Sequence, residues 1–128
     1  MLPITRFPPP AGGRPYPPLS LAVAHGNTLY VSGLGPVRAD GTIPAAFADQ
    51  FAVVIGHLRD VLAAAGTDPT RILKCNVLLV RAEDVAEMNR LYAAAFPASH
   101  LPARTTCVVA ALPVPEFLLE IECIAALA

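Results

Sequence analysis

The sequence predicts an α+β fold: one mixed sheet, with elements in the order β-β-β-α-β-α-β-β along the chain and both helices on the same face. Three observations carry this. Two segments place apolar residues at helical spacing, short apolar runs of strand type surround them, and each helical segment stands between two strands. A helix between strands of one sheet acts as a crossover, and the right-handed rule for crossovers puts both helices on one side. At 128 residues the chain is expected to form one domain, 1–128, with a core of its own.

The elements follow in order. Ile4 to Phe7 reads as a short strand. Residues 8 to 18 carry so many prolines that neither a helix nor a central strand can form there. Leu19 to Ala24 and Thr28 to Ser32 read as a hairpin turning at His25-Gly26-Asn27, where glycine and asparagine tolerate positive φ. From Ala45 to Ala65 the residues Phe47, Phe51, Val54, Ile55, Leu58, Val61, Leu62 and Ala65 form one apolar stripe. Gly66 supplies the left-handed cap and Asp68-Pro69 stops continuation. Ile72 to Val80 is a buried strand. A second helix, Glu83 to Phe96, turns Val85, Met88, Leu91, Tyr92 and Ala95 toward the core, begins with acids favoured by the helix dipole, and ends at Pro97. Thr105 to Ala110 and Phe117 to Ala126 are the last two strands.

Composition bounds the function. The chain is 55% apolar and 15% charged, too little polar residue to cover a monomer, so association with further copies is expected. Nine basic residues are scattered against ten acidic ones, without the basic stripe that nucleic-acid binding needs. Cys75, Cys107 and Cys123 are widely spaced in apolar runs and read as small buried hydrophobes rather than disulfide or zinc ligands. His25, His57 and His100 form no metal triad; His25 and His100 could approach a pocket mouth, but isolated loop histidines are more often solvated. No apolar run is long enough for a membrane span and no signal peptide is evident, which makes the cytoplasm the expected compartment.

The chemistry-bearing residues are few. Arg104, in Leu101-Pro-Ala-Arg-Thr-Thr-Cys107, is a permanent, forked cation within an otherwise apolar strand, suited to a small carboxylate or to an ion pair with an acid of the chain. Glu120 and Glu122 alternate with Leu119, Ile121 and Cys123 and share one face, which is solvent or a site. Ser32-Gly33 either ends a strand or lets backbone approach a ligand closely.

These segments, with Ala111-Leu-Pro113, Leu119-Glu-Ile-Glu-Cys-Ile-Ala125, Gly26-Asn27 and Leu29-Tyr-Val-Ser-Gly33, resemble the Rid family of reactive-intermediate deaminases, also called the YjgF or endoribonuclease L-PSP family. The resemblance covers nearly the whole chain. It implies a chorismate-mutase-like domain in a homotrimer with a central barrel of sheets and sites between subunits. It further implies hydrolysis of 2-imino or enamine acids to 2-oxo acids and ammonia, without metal or organic cofactor. Arg104 would bind the substrate carboxylate and Glu120 would activate water. Backbone N–H groups at Gly33 and near Thr106 would contact the ligand, Thr106 standing where the family often has cysteine, and Cys107 would face away. Ser32 sits beside Gly33.

Asn89 and Tyr92 match family positions, although core packing is the simpler expectation for both. Two departures bear on the pocket: Leu19 aligns with the family's tyrosine, leaving Tyr16 as a substitute if the loop folds back, and Leu34 replaces its glutamine. Three other readings stay open: a non-catalytic carboxylate-binding or chaperone-like trimer, a deaminase of a larger amino-carboxylate, and RNA cleavage, which the balanced charge opposes.

Overall fold

The computed structural model describes residues 1–127. Its strands are β1 (Ile4–Phe7), β2 (Ala22–His25), β3 (Thr28–Leu34), β4 (Ile72–Leu79), β5 (Ala103–Val108) and β6 (Leu119–Ala126); its α-helices are α1 (Phe47–Ala64) and α2 (Val85–Ala95). All six strands form one sheet in the order β1-β2-β3-β6-β4-β5, with β4 and β5 parallel and the other neighbours antiparallel. Strands β3 and β4 therefore run parallel with β6 inserted between them, a split βαβ unit, while α2 bridges the adjacent β4 and β5. The predicted order of elements and the placement of both helices on one face are as the sequence indicated.

Local chemistry explains where the boundaries moved. The hairpin turns at Gly26, φ +59°, with His25 opposite Thr28; Asn27 does not take positive φ, so glycine alone supplies the turn. Leu19 and Leu21 stay outside β2, although Leu21 N–H still donates to the Phe7 carbonyl at 2.7 Å. The second helix starts two residues late because Ala82–Asp84 forms a tighter turn, which Arg81 fastens by donating to both Asp84 carboxylate oxygens at 2.7 and 2.9 Å. Gly66 takes φ +81° directly after the first helix, as its position in the sequence required.

The apolar stripe of α1, with Met88 and Tyr92 of α2, packs onto Leu29, Val31, Val77, Leu79, Leu119 and Ile121 in one continuous core. Each such side chain contributes roughly 1.5–3 kcal/mol on full burial. Alternation does the rest: with Leu119, Ile121, Cys123 and Ala125 buried under the helices, Glu120, Glu122 and Ile124 must face the other way. Glu120 shares that face with Leu78, and Leu78 with Cys107, through direct cross-strand pairing. Among the described residues no helix packs over this face. Tyr30 stands half exposed on it, and its polar groups pair locally, Asn76 Nδ2 donating to Glu122 Oε1 and Lys74 Nζ to Thr105 Oγ1, both at 2.9 Å.

One core residue escaped the hydrophobic pattern. Gln50 lies on the buried side of α1, 1% exposed, where its Nε2 donates to the Pro44 and Glu116 carbonyls at 2.8 and 2.9 Å and its Oε1 accepts from Leu118 N–H at 2.8 Å. It pins the loop entering β6 to the helix. Replacing it by leucine strands a buried N–H and two carbonyls, so Gln50→Leu is expected to cost about 2 kcal/mol or more and to lower the melting temperature by several degrees in calorimetry; an unchanged melting temperature would contradict this role.

Candidate active site

A cleft of about 740 Å³ is walled by the proline-rich segment, the end of β3 and the residues after it, the flank of α1 and the loop before β6. Of the residues singled out in the sequence, Tyr16, Leu19, Ser32, Gly33, Leu34 and Glu120 line it. The segment of residues 8–18 thus folds back over the sheet, and Tyr16 lines the same cleft as Leu19. Ser32 fastens that fold-back, its hydroxyl donating to the Ser20 carbonyl at 2.6 Å and its N–H to the Leu21 carbonyl at 2.9 Å.

Glycine at position 33 makes room for the acid. A Cβ there would stand 2.7 Å from Oε2 of Glu120, so only glycine leaves the carboxylate seated over β3 without displacement. The ladder between β3 and β6 is bulged at this point, with Ser32 and Gly33 together opposing Glu122 between the pairs Val31–Cys123 and Leu34–Ile121. A Cβ on Gly35 would fall 2.2 Å from the Phe117 ring, so the lack of a side chain there lets that aromatic come close to the backbone and form part of the cleft wall. Burial raises the Glu120 carboxyl above its ordinary value, and the nearby negative charge of Glu122 adds to the effect.

Arg104 and Thr106 lie elsewhere. Arg104 pairs with Cys75 and Thr106 with Val77, both fully buried beneath the helices, so these side chains emerge on the helical face at the sheet's outer strand. Within one chain they stand on the opposite side of the sheet from Glu120. The guanidinium is nonetheless held in place: Nη2 donates to Asn89 Oδ1 at 2.7 Å, Nη1 meets Met88 Sδ at 3.8 Å, and the group lies 4.8 Å from the Tyr92 ring centroid. Its partners are thus an amide, a sulfur and a π face. The ion pairs among the described residues belong to Arg81 and Arg90, so the alternative of an acid partner for Arg104 does not hold. Asn89 is exposed and grips Arg104 rather than packing in the core, which corrects the expectation for it; Tyr92 is buried as expected, at 4%.

One further expectation needs correction. Cys107 is exposed, because β5 is the edge strand and that side of the sheet is uncovered, whereas Cys75 and Cys123 are buried. Burial pushes the Cys123 thiol up to about 12 and raises that of Cys75, which keeps both protonated and inert. The histidine at the cleft is His57, tied through Nε2 to the Val37 carbonyl at 2.5 Å, rather than His25 or His100. Its place was legible in principle, since it lies three residues after Val54 and four before Val61, on the edge of the apolar stripe. Among the described residues no group of three or more potential ligands could hold a metal ion, and no helix is long and apolar enough to cross a membrane.

A split βαβ sheet with an acid-bearing cleft defines the class: a small α+β protein with the Glu120 carboxylate of the sheet facing a largely apolar pocket. Residues 12–127 match the family model described as Endoribonuclease L-PSP, and the chain belongs to that family, also known as Rid or YjgF. The mmf2 protein of Schizosaccharomyces pombe is 33% identical over 111 residues, covering 85% of this chain and 87% of that protein. The 2-iminobutanoate/2-iminopropanoate deaminase of Bos taurus is 38% identical over 98 residues, covering 75% of this chain and 71% of that protein. The crystal structure of YEO7_yeast superposes with a TM-score of 0.86 at 32% identity, covering 98% of this chain and 99% of that one.

The raised Glu120 carboxyl has a measurable consequence for stability. Between the unfolded value and the higher folded value the native state holds a proton that the unfolded chain has lost, so rising pH through that window destabilises the fold. Glu120→Gln is therefore expected to be more stable than the parent at neutral pH, with the advantage vanishing in acid below the ordinary carboxylate value; equal melting temperatures at both pH values would show that Glu120 carries no such strain.

Proposed function

We propose that this chain hydrolyses 2-imino acids and their enamine tautomers to 2-oxo acids and ammonia, in sites built from two copies of the chain. The observation that carries the reading is the Glu120 carboxylate seated over Gly33 at an apolar cleft, with its proton affinity raised. A carboxylate so placed is a better base than one in water. Glu120 takes a proton from water as the water oxygen bonds to the imine carbon, the electrons of the C=N π bond move to nitrogen, and Glu120 returns the proton to that nitrogen. The carbinolamine so formed then collapses: Glu120 takes its hydroxyl proton and passes it to the amine nitrogen as the C–N bond breaks, ammonia leaves, and a 2-oxo acid remains. An iminium carbon is electrophilic enough to need no cofactor.

The substrate carboxylate requires a cation, and the reading assigns this role to Arg104 from a second copy. Support comes from the lack of an acidic partner for Arg104, its fixation by Asn89 and Tyr92, its place on the outer strand, and the apolar composition that favours association. A homotrimer is the assembly the family resemblance implies. Backbone donors at Gly33 and, from the second copy, at Thr106 would orient the reacting group. The named activity of the bovine relative agrees with this chemistry.

The test is release of 2-oxo acid from imines generated in situ by an amino-acid oxidase. Acceleration by the parent protein is expected, with a loss of about 10²–10⁴-fold in kcat for Glu120→Gln and a rise of about two orders of magnitude in KM for Arg104→Ala. Full activity in either variant would refute its assignment, and 2-oxo acid binding without turnover by the parent would leave a carboxylate-binding protein.

A further inference from the structure

The cleft contains a cation that the reaction above does not use. Arg14 lines it, half-buried, with its guanidinium carbon 3.9 Å from the centroid of the Tyr16 ring. A guanidinium stacked on an aromatic face keeps its edge N–H groups directed outward, the geometry in which it grips a carboxylate through two parallel hydrogen bonds. No carboxylate of the described residues lies within ion-pair distance of it, including Asp60 and Glu120 in the same cleft. The other basic side chain of the lining, His57, already spends Nε2 on the Val37 carbonyl. Arg14 is thus the group in this cleft equipped to take an anion.

Its support is stiff. Pro15 and Pro17 flank Tyr16 and also line the cleft, and proline fixes φ, so little ordering is needed when a ligand docks. The space is also large: about 740 Å³ falls within the range of sites that enclose drug-sized ligands, well beyond what the smallest 2-imino acids fill.

We propose that Arg14, stacked on Tyr16, binds a second anionic group of the ligand, so that this site takes 2-imino dicarboxylic acids and the 2-oxo dicarboxylates they yield. The inference rests on the reading that Glu120 works in this cleft, with the first carboxylate held by Arg104 from a second copy. A chain of methylenes between the two carboxylates would lie along the apolar wall formed by Leu34, Val37 and Val61. The reaction that supplies such a substrate is two-electron oxidation of an amino dicarboxylic acid by an external oxidant, or elimination of a β-substituent from one that carries a leaving group there.

Calorimetric titration of the oligomeric protein with 2-oxoglutarate and with 2-oxobutanoate, together with turnover of the corresponding imines, tests this. The parent is expected to favour the dicarboxylate by about tenfold or more. Arg14→Ala should bring the ratio of the two affinities toward one, and Arg14→Lys, which keeps the charge but loses the fork, should give an intermediate ratio. A parent without preference, or an Arg14→Ala variant that keeps the parent's ratio because both ligands weaken equally, would overturn the proposal. The two readings fail separately: binding preference without imine turnover would remove the deaminase reading alone, and turnover without preference would remove the role of Arg14 alone.

Discussion

Everything at the site follows from β6 running antiparallel between β3 and β4. A strand in the middle of a sheet has no freedom of register when one face is buried, because a slip of one residue would drive Glu120 and Glu122 under the helices and expose Leu119, Ile121 and Cys123. Hydrophobic burial therefore fixes the direction in which the acid points. The absence of a side chain at Gly33 on the adjacent strand then lets the carboxylate settle close to backbone, and Gln50 locks the loop through which β6 is entered. The acid is held by packing and alternation rather than by a dedicated ion pair.

The same alternation separates the acid from Arg104. Residues of β5 and β4 that pair directly share a face, and Cys75 and Val77 are core residues, so Arg104 and Thr106 cannot reach the Glu120 side of their own sheet. Asn89 and the Tyr92 ring hold a permanent charge at the edge of the molecule in a fixed orientation, without neutralising it. In the proposed chemistry the fixed charge at the edge and the acid in the cleft meet only between molecules. Association thereby becomes part of the proposed chemistry, and the uncovered sheet face, with Tyr30 half exposed on it, points the same way.

The sequence made the fold readable because its signals were strong and local: the α1 stripe, Gly66 after it, and the strict alternation of Leu119 to Cys123. The misplaced boundaries came from side-chain bonds that periodicity does not encode, such as the fork from Arg81 to Asp84 that tightens the start of the second helix. Cys107 was misjudged because burial depends on whether a strand lies at the edge, which is a property of topology rather than of the residue's neighbours in sequence. For the cleft, the strand pattern marked Glu120 and Gly33 as candidates and the family resemblance added Tyr16, but neither pointed to Arg14 or His57, nor to Gln50, the anchor of the loop before β6. Those three acquire meaning only when the proline-rich segment folds back, the flank of α1 faces the cleft, and a loop far along the chain comes to rest on a helix.

The central claim is that Glu120 of one copy works with Arg104 of another, and mixing inactive variants tests it most directly. Glu120→Gln and Arg104→Ala would be purified separately, dissociated together, reassembled and assayed for imine hydrolysis. The account predicts that mixed oligomers regain a substantial fraction of parental activity, because some sites then pair an intact glutamate with an intact arginine. Mixed oligomers as inactive as either variant alone, with subunit exchange verified by mass spectrometry, would contradict a shared site and return both residues to separate roles within one chain.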